Sequence, residues 1–153
     1  MATADLKKLK QLREETEVSF SLIKKALEET DNNMEQAKKK LQEWGADKVT
    51  KVAGRSTGQG SIFSYVHHDG KTAGLIELLC ETDFVSGNPD FKQFGKELAM
   101  QVASLNPKDA DELLKQEYIR DSSKTIHDLL KETVLKFGEN IKIARILRWK
   151  LGA

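Results

Sequence analysis

The sequence predicts an α+β protein: an N-terminal three-helix module, then a core of a small antiparallel sheet with helices. Three observations carry this expectation. Apolar residues recur at helical spacing between Leu6 and Trp44. They alternate with period two on both sides of Asp69-Gly70. Between these regions the stretch VAGRSTGQGS holds almost nothing that can join a core. The expected domains are therefore the module over 1–47, a linker over 48–60 and the α+β core over 61–153.

Each element has its own signal. Leu6, Leu9 and Leu12 give the first helix an apolar stripe, and Thr16-Glu17-Val18 interrupts it. Ser19 is placed to cap a second helix that buries Leu22, Ile23, Ala26 and Leu27. Asn33, with Gln36 three residues on, has the form of a capping box for a third helix through Met34, Ala37, Leu41 and Trp44. Gly45 is the expected left-handed stop. Three helices in about 45 residues are marginal alone, so the module calls for further packing.

Past residue 60 the period changes. Ile62, Ser64, Val66 and His68 alternate with Phe63, Tyr65 and His67. Asp69-Gly70 suits a type I′ turn, and Thr72–Cys80 forms the returning strand. Asn88 and Pro89 open a helix with Phe91, Phe94, Leu98, Ala99 and Val102 inward, and Asn106-Pro107 stops it. A short helix follows over Ala110–Tyr118. Ser122 or Ser123 is expected to cap a last helix with Ile126, Leu129, Leu130 and Val134 inward, closing at Gly138. A final strand has Ile141, Ile143, Leu147, Trp149 and Leu151 alternating with Lys142, Ala144, Arg148 and Lys150, except where Arg145 and Ile146 exchange places.

Composition narrows the function. The 153 residues carry 25 basic and 24 acidic side chains, a net charge of +1, which argues against a protein that coats nucleic acid. With 32% charged and 39% hydrophobic residues and only 2 Pro, disorder is not expected. The one cysteine, Cys80, excludes an intrachain disulfide and suits a reducing compartment. No apolar run approaches the roughly 18–20 residues of a membrane span. The N-terminal MATADLKKLKQLREE lacks a secretory-signal stretch, and its acids oppose a transit peptide. The expectation is a cytoplasmic protein with no membrane partner.

The catalytic inventory is thin, and the reading is a non-enzyme with no cofactor and no metal. His67 and His68, adjacent on a strand, point to opposite faces and read as surface histidines. Cys80 reads as a buried inert thiol, with a nucleophile or an intermolecular disulfide as alternatives. Gly54–Gly60 lacks the Lys and Ser or Thr that a phosphate loop needs after its last glycine. Lys38-Lys39-Lys40 reads as a solvated helix face. The most informative stretch is Glu81-Thr82-Asp83-Phe84-Val85-Ser86-Gly87, between a strand and a helix. From residue type, Phe84 either folds back into the core or anchors a partner's pocket with Asp83 beside it.

Three blocks occur in order: LREETEVSFSLIKKALEET at 12–30 with the NNMEQAKKKLQEWG helix after it, GLIELLCETDFVSGNPDFKQF at 74–94, and GENIKIARI at 138–146. Together they resemble the bacterial elongation factor Ts family over most of the chain, and the resemblance implies that the three-helix module is ubiquitin-associated-like and is followed by an α+β core. The resemblance implies a nucleotide-exchange factor that binds the GTPase elongation factor Tu and speeds release of GDP. It implies that the N-terminal module docks on the GTPase domain through Thr16, Val18, Ser19, Phe20 and Ser21, with Lys24 close by. It also implies that Thr82, Asp83, Phe84 and Val85 form a loop whose Asp-Phe pair pushes between GTPase helices and dislodges the Mg²⁺ ion. The family often has Gly and Met in the first block's turn, where Glu17-Val18-Ser19-Phe20-Ser21 stands here. No repeat of the 61–105 pattern follows residue 106, so the resemblance is to the short, single-core form and implies a homodimer. Direct nucleic-acid binding is not expected. Three other readings are a ubiquitin-associated-type module that binds a different helix, a ribosome-associated factor that binds RNA through Lys142, Arg145, Arg148 and Lys150, and an enzyme that uses Cys80 or a histidine.

Overall fold

The computed structural model describes residues 2–153. The protein is mixed helix and sheet, as its sequence predicts, and its chain forms two compact units. One comprises Met1–Ala53 with Leu130–Gly138, the other Gly54–Leu129 with Glu139–Ala153. Among the described residues no helix is long and apolar enough to cross a membrane.

The first unit holds α1 (Leu6–Thr16), α2 (Phe20–Glu29) and α3 (Met34–Val52), with the C-terminal part of a later helix, α7 (Ile126–Phe137). Asp5 caps α1 by accepting from the N–H groups of Lys7 and Lys8. Glu17, in a left-handed conformation at φ 57°, ends it. Ser19 occupies the cap position of α2 without a side-chain bond to a backbone N–H; its hydroxyl lies 3.4 Å from that of Ser21, and its carbonyl accepts from Ile23 N–H at 3.1 Å. Asn33 caps α3 through the N–H of Gln36 at 3.0 Å. Leu9, Leu12, Val18, Ile23, Ala26, Leu27, Ala37 and Leu41 form the core of the unit, whereas Leu6 is exposed.

Gly45 does not stop the third helix. It is buried, and a Cβ there would come within 3.0 Å of the Lys131 side chain and carbonyl. The glycine therefore serves a close approach between α3 and the 130–138 segment rather than a left-handed turn. The helix runs on to Val52, so residues 48–52 are helical where a linker is expected. Residues 130–138 likewise pack with the first unit, which divides the chain differently from the expected 1–47, 48–60 and 61–153. Gln42 Nε2 donates to Glu132 at 3.1 Å, and Lys136 pairs with Glu17 at 3.1 Å.

The second unit is built on a three-stranded antiparallel sheet in the order β1 (Gln59–Val66), β2 (Thr72–Cys80), β5 (Lys142–Lys150). The β1–β2 turn is not type I′, because only Gly70 has positive φ, at 72°. The His67 carbonyl accepts from Gly70 N–H at 2.8 Å, and His67 N–H pairs with the Thr72 carbonyl. The connection is thus a longer loop closed by glycine. The one-turn α4 (Asp83–Ser86) leads into α5 (Pro89–Leu105), capped by Asn88 as expected. Phe91, Leu98, Ala99 and Val102 of α5 are buried and Phe94 is half-buried. The Phe91 ring meets Phe63 of β1 edge-on at 6.0 Å.

After α6 (Ala110–Lys115) comes a small hairpin absent from the sequence reading, β3 (Glu117–Tyr118) with β4 (Asp121–Thr125). Ser122 and Ser123 lie in β4, so neither caps α7. Thr125 does: its hydroxyl accepts from Asp128 N–H at 3.1 Å, and Asp128 accepts from Thr125 N–H at 2.9 Å.

The exchange of Arg145 and Ile146 is a β-bulge. Glu77 pairs with Arg145 and Leu78 with Ile143, which leaves Ala144 as the extra residue. Beyond it the strand's faces invert. Ile141 and Ile143 are buried, whereas Leu147, Trp149 and Leu151 are exposed.

Candidate functional site

The predicted loop begins where β2 ends. Val85 is buried, and Phe84 is 88% exposed. Phe84 therefore does not fold back into the core; it stands in water beside exposed Asp83. Such a side chain has no packing of its own, so its direction is set by the backbone beneath it.

That backbone is bonded on every side. Thr82 caps α4 by accepting from Val85 N–H at 3.4 Å. Its carbonyl receives the Cys80 thiol at 3.2 Å. Ser86 and Gly87 both donate to the Asp83 carbonyl, at 3.2 and 2.9 Å, and Asn88 N–H donates to that of Val85 at 3.0 Å. From the segment before β5, Glu139 reaches across. One carboxylate oxygen accepts from the N–H groups of Glu81 and Thr82, each at 3.1 Å, and the other from the Thr82 hydroxyl at 2.6 Å. Glu81 answers by accepting from Asn140 N–H at 2.9 Å, with the Arg55 guanidinium 3.5 Å from the same oxygen. The Asn140 side-chain amide donates to the Arg55 carbonyl at 2.9 Å.

Cys80 is fully buried behind this loop. Burial first, and then the Glu139 carboxylate, push its thiol above the ordinary value. A nucleophilic or disulfide-forming role does not fit that setting.

In the first unit the predicted contact residues divide. Phe20 is half exposed, and Ser21 and Lys24 are exposed. Thr16 and Ser19 are half-buried, and the Thr16 hydroxyl donates to the Leu12 carbonyl at 2.7 Å. Val18, at 0% exposure, is a core residue and presents no surface in this structure.

A second surface emerges from the bulge. Leu147 and Trp149 join Ile62 and Val66 of β1 on the outer face of the sheet, all exposed, with Leu75 of the middle strand between them. These side chains make that face of the sheet exposed and apolar.

The remaining candidates hold little chemistry. His67 and His68 lie in the turn rather than on the strand, so their rings come together at 4.2 Å, and His67 Nδ1 is 3.0 Å from the Tyr65 hydroxyl. Among the described residues no group of three or more His, Cys, Asp and Glu side chains is placed to hold a metal ion. Lys38 and Lys40 pair with Glu15 and Glu29, as suits a solvated face. On β5, Arg148 donates to the Ala103 carbonyl at 2.9 Å and Arg145 lies 3.5 Å from Glu77.

Glu139, Asn140 and Arg55 were not legible as site residues. Glu139 and Thr82 are 57 positions apart, and no local pattern announces a carboxylate that bonds to a distant backbone. The thread is the order of the blocks, since GENIKIARI accompanies the Thr-Asp-Phe-Val run.

Comparison with known proteins agrees with that order. Residues 81–152, from the loop to the end of β5, match the family model described as Elongation factor TS. An elongation factor Ts of Leptospira biflexa is 38% identical over 189 aligned positions, covering 94% of this chain and 96% of the relative. That alignment is longer than the 153-residue chain, so the relative carries residues without a counterpart here. One of Oleidesulfovibrio alaskensis is 35% identical with both chains fully covered. One of Clostridium novyi is 43% identical over 95% of this chain but only 47% of its own length. Because relatives of that name are 35–38% identical with nearly all of both chains covered, the chain belongs to the elongation factor Ts family.

Proposed function

We propose that the protein is a guanine-nucleotide exchange factor for elongation factor Tu, acting in translation elongation in the cytoplasm and making no covalent change of its own. Family membership supports the exchange role. The observation that carries the mechanism is Phe84, an aromatic ring kept in water at the tip of a capped turn. In this reading Asp83 and Phe84 enter between helices of the GTPase domain, and the first unit docks through Phe20, Ser21 and Lys24.

Mg²⁺ bridges nucleotide phosphates to the loops around them. A ligand that favours the opened GTPase weakens nucleotide and metal by its differential affinity for that state. The coupling is reciprocal, so nucleotide also weakens the factor and the exchange turns over. Burying Phe84 supplies about 1.5–3 kcal/mol, roughly one to two decades of affinity. The outer sheet face supports a homodimer in which a second copy covers Ile62, Val66, Leu147 and Trp149.

The test is release of a fluorescent GDP analogue from purified bacterial elongation factor Tu in Mg²⁺ buffer. Acceleration by orders of magnitude at catalytic amounts of the protein is expected. A folded protein that leaves the release rate unchanged overturns the reading.

A further inference from the structure

The exchange reading leaves one question about the loop: what fixes the direction of a side chain that touches so little? An isolated turn of four residues has no helical stability of its own, because nucleation costs more than one turn returns. The α4 turn therefore depends on its cap and on the strand end that feeds it. Both converge on a single carboxylate.

We propose that Glu139 is the positioning residue of the loop, and that its carboxylate sets the pose in which Phe84 is presented. This rests on the exchange reading above. The Thr82 hydroxyl has one proton, and it is given to Glu139 at 2.6 Å. Its lone pairs are thereby turned toward Val85 N–H, the bond that caps α4. The other Glu139 oxygen accepts from the Glu81 and Thr82 N–H groups just past β2, so the chain leaves the sheet at a fixed angle. Bonds to a charged acceptor are the stronger kind, and bonds in series reinforce one another. The return bond from Asn140 N–H to Glu81 closes the clasp, so the two segments cannot slide independently. Phe84 lies two residues beyond this point, with no side-chain packing that could substitute for it.

A merely stabilising Glu139 and a positioning Glu139 predict different couplings. The experiment measures stimulated GDP release at saturating factor for the wild type, Glu139→Ala, Phe84→Ala and the double variant. Glu139→Ala is expected to slow release about tenfold or more while binding to the GTPase through the first unit persists. If Glu139 acts through Phe84, the double variant is no slower than Phe84→Ala alone. A Glu139→Ala protein as fast as the wild type, or losses that multiply in the double variant, overturns the proposal. A wild type that does not accelerate release overturns the exchange reading and this inference with it, which separates the two failures. Should Glu139→Ala not fold by circular dichroism, Thr82→Val against Thr82→Ser carries the test. Slower release for Val than for Ser supports the clasp, because Ser keeps the hydroxyl, and equal rates overturn it.

Discussion

Phe84 and Cys80 sit four positions apart and obey opposite rules. Phe84 has almost no contacts to lose, so Phe84→Ala is expected to leave thermal stability within about 0.5 kcal/mol of wild type. The same change is expected to slow stimulated GDP release at least about tenfold, measured with the fluorescent analogue. Cys80 is fully enclosed, and burial raises its thiol. A thiol raised by folding favours its protonated form in the native state. Its contribution is complete below the unfolded value and is lost as pH rises above it. Iodoacetamide labelling of the native protein at mildly alkaline pH is therefore expected to be far slower than labelling in urea. Tyr118 has the same sign. Burial, and then the Glu97 carboxylate that accepts its hydroxyl at 2.9 Å, push it well above the ordinary phenol range. The Thr82–Val85 run stood out in the sequence because an aromatic in a strand-to-helix connection is unusual. Whether Phe84 faced in or out was not legible there, since that depends on Glu139.

The strongest local signals became the most accurate elements. Asn88-Pro89 opens α5 because cap and proline act within one turn. The β3–β4 hairpin left no such signal, because what pins it is a buried side chain of another element. Gln101 Nε2 donates to the Glu117 carbonyl at 2.9 Å, and its oxygen accepts from Ile119 N–H at 3.1 Å. With the hairpin taking Ser122 and Ser123, the cap of α7 falls to Thr125, and Thr125→Ala is expected to cost about 1 kcal/mol. Two glycines let α5 lie close to the sheet. At Gly74 a Cβ would stand 2.4 Å from the Ala99 carbonyl and 2.8 Å from Ala103 N. At Gly95 it would overlap the Phe63 ring. Backbone cannot step aside as a flexible side chain can, so Gly74→Ala is expected to destabilise the protein by about 1–3 kcal/mol, read from its denaturant midpoint. The bulge at Ala144 explains a pattern that sequence detected and misassigned. A period-two reading carries the same face past the irregularity, whereas one inserted residue turns it over.

At the scale of the molecule, that inversion leaves an apolar sheet face uncovered. If a second copy covers it, Trp149→Glu is expected to convert a dimer into a folded monomer, with light scattering giving the mass and circular dichroism the fold. A wild type that is monomeric at micromolar concentration counts against the dimer. Leu130–Gly138 packs with the first unit at a separation that no local pattern spans, so local composition does not foresee it. Leu135 joins that core, Lys131 lies against Gly45, and Lys136 reaches Glu17. This has a consequence for the order of events during synthesis. A growing chain normally finishes its first folding unit before the next is made. Here the first unit lacks a wall until residue 138 has emerged, by which time all of the second but Glu139–Ala153, with strand β5, has been made. The three leading helices must wait, incompletely covered, for a segment translated long after them, and a fragment ending near Ala53 is expected to be a loose bundle.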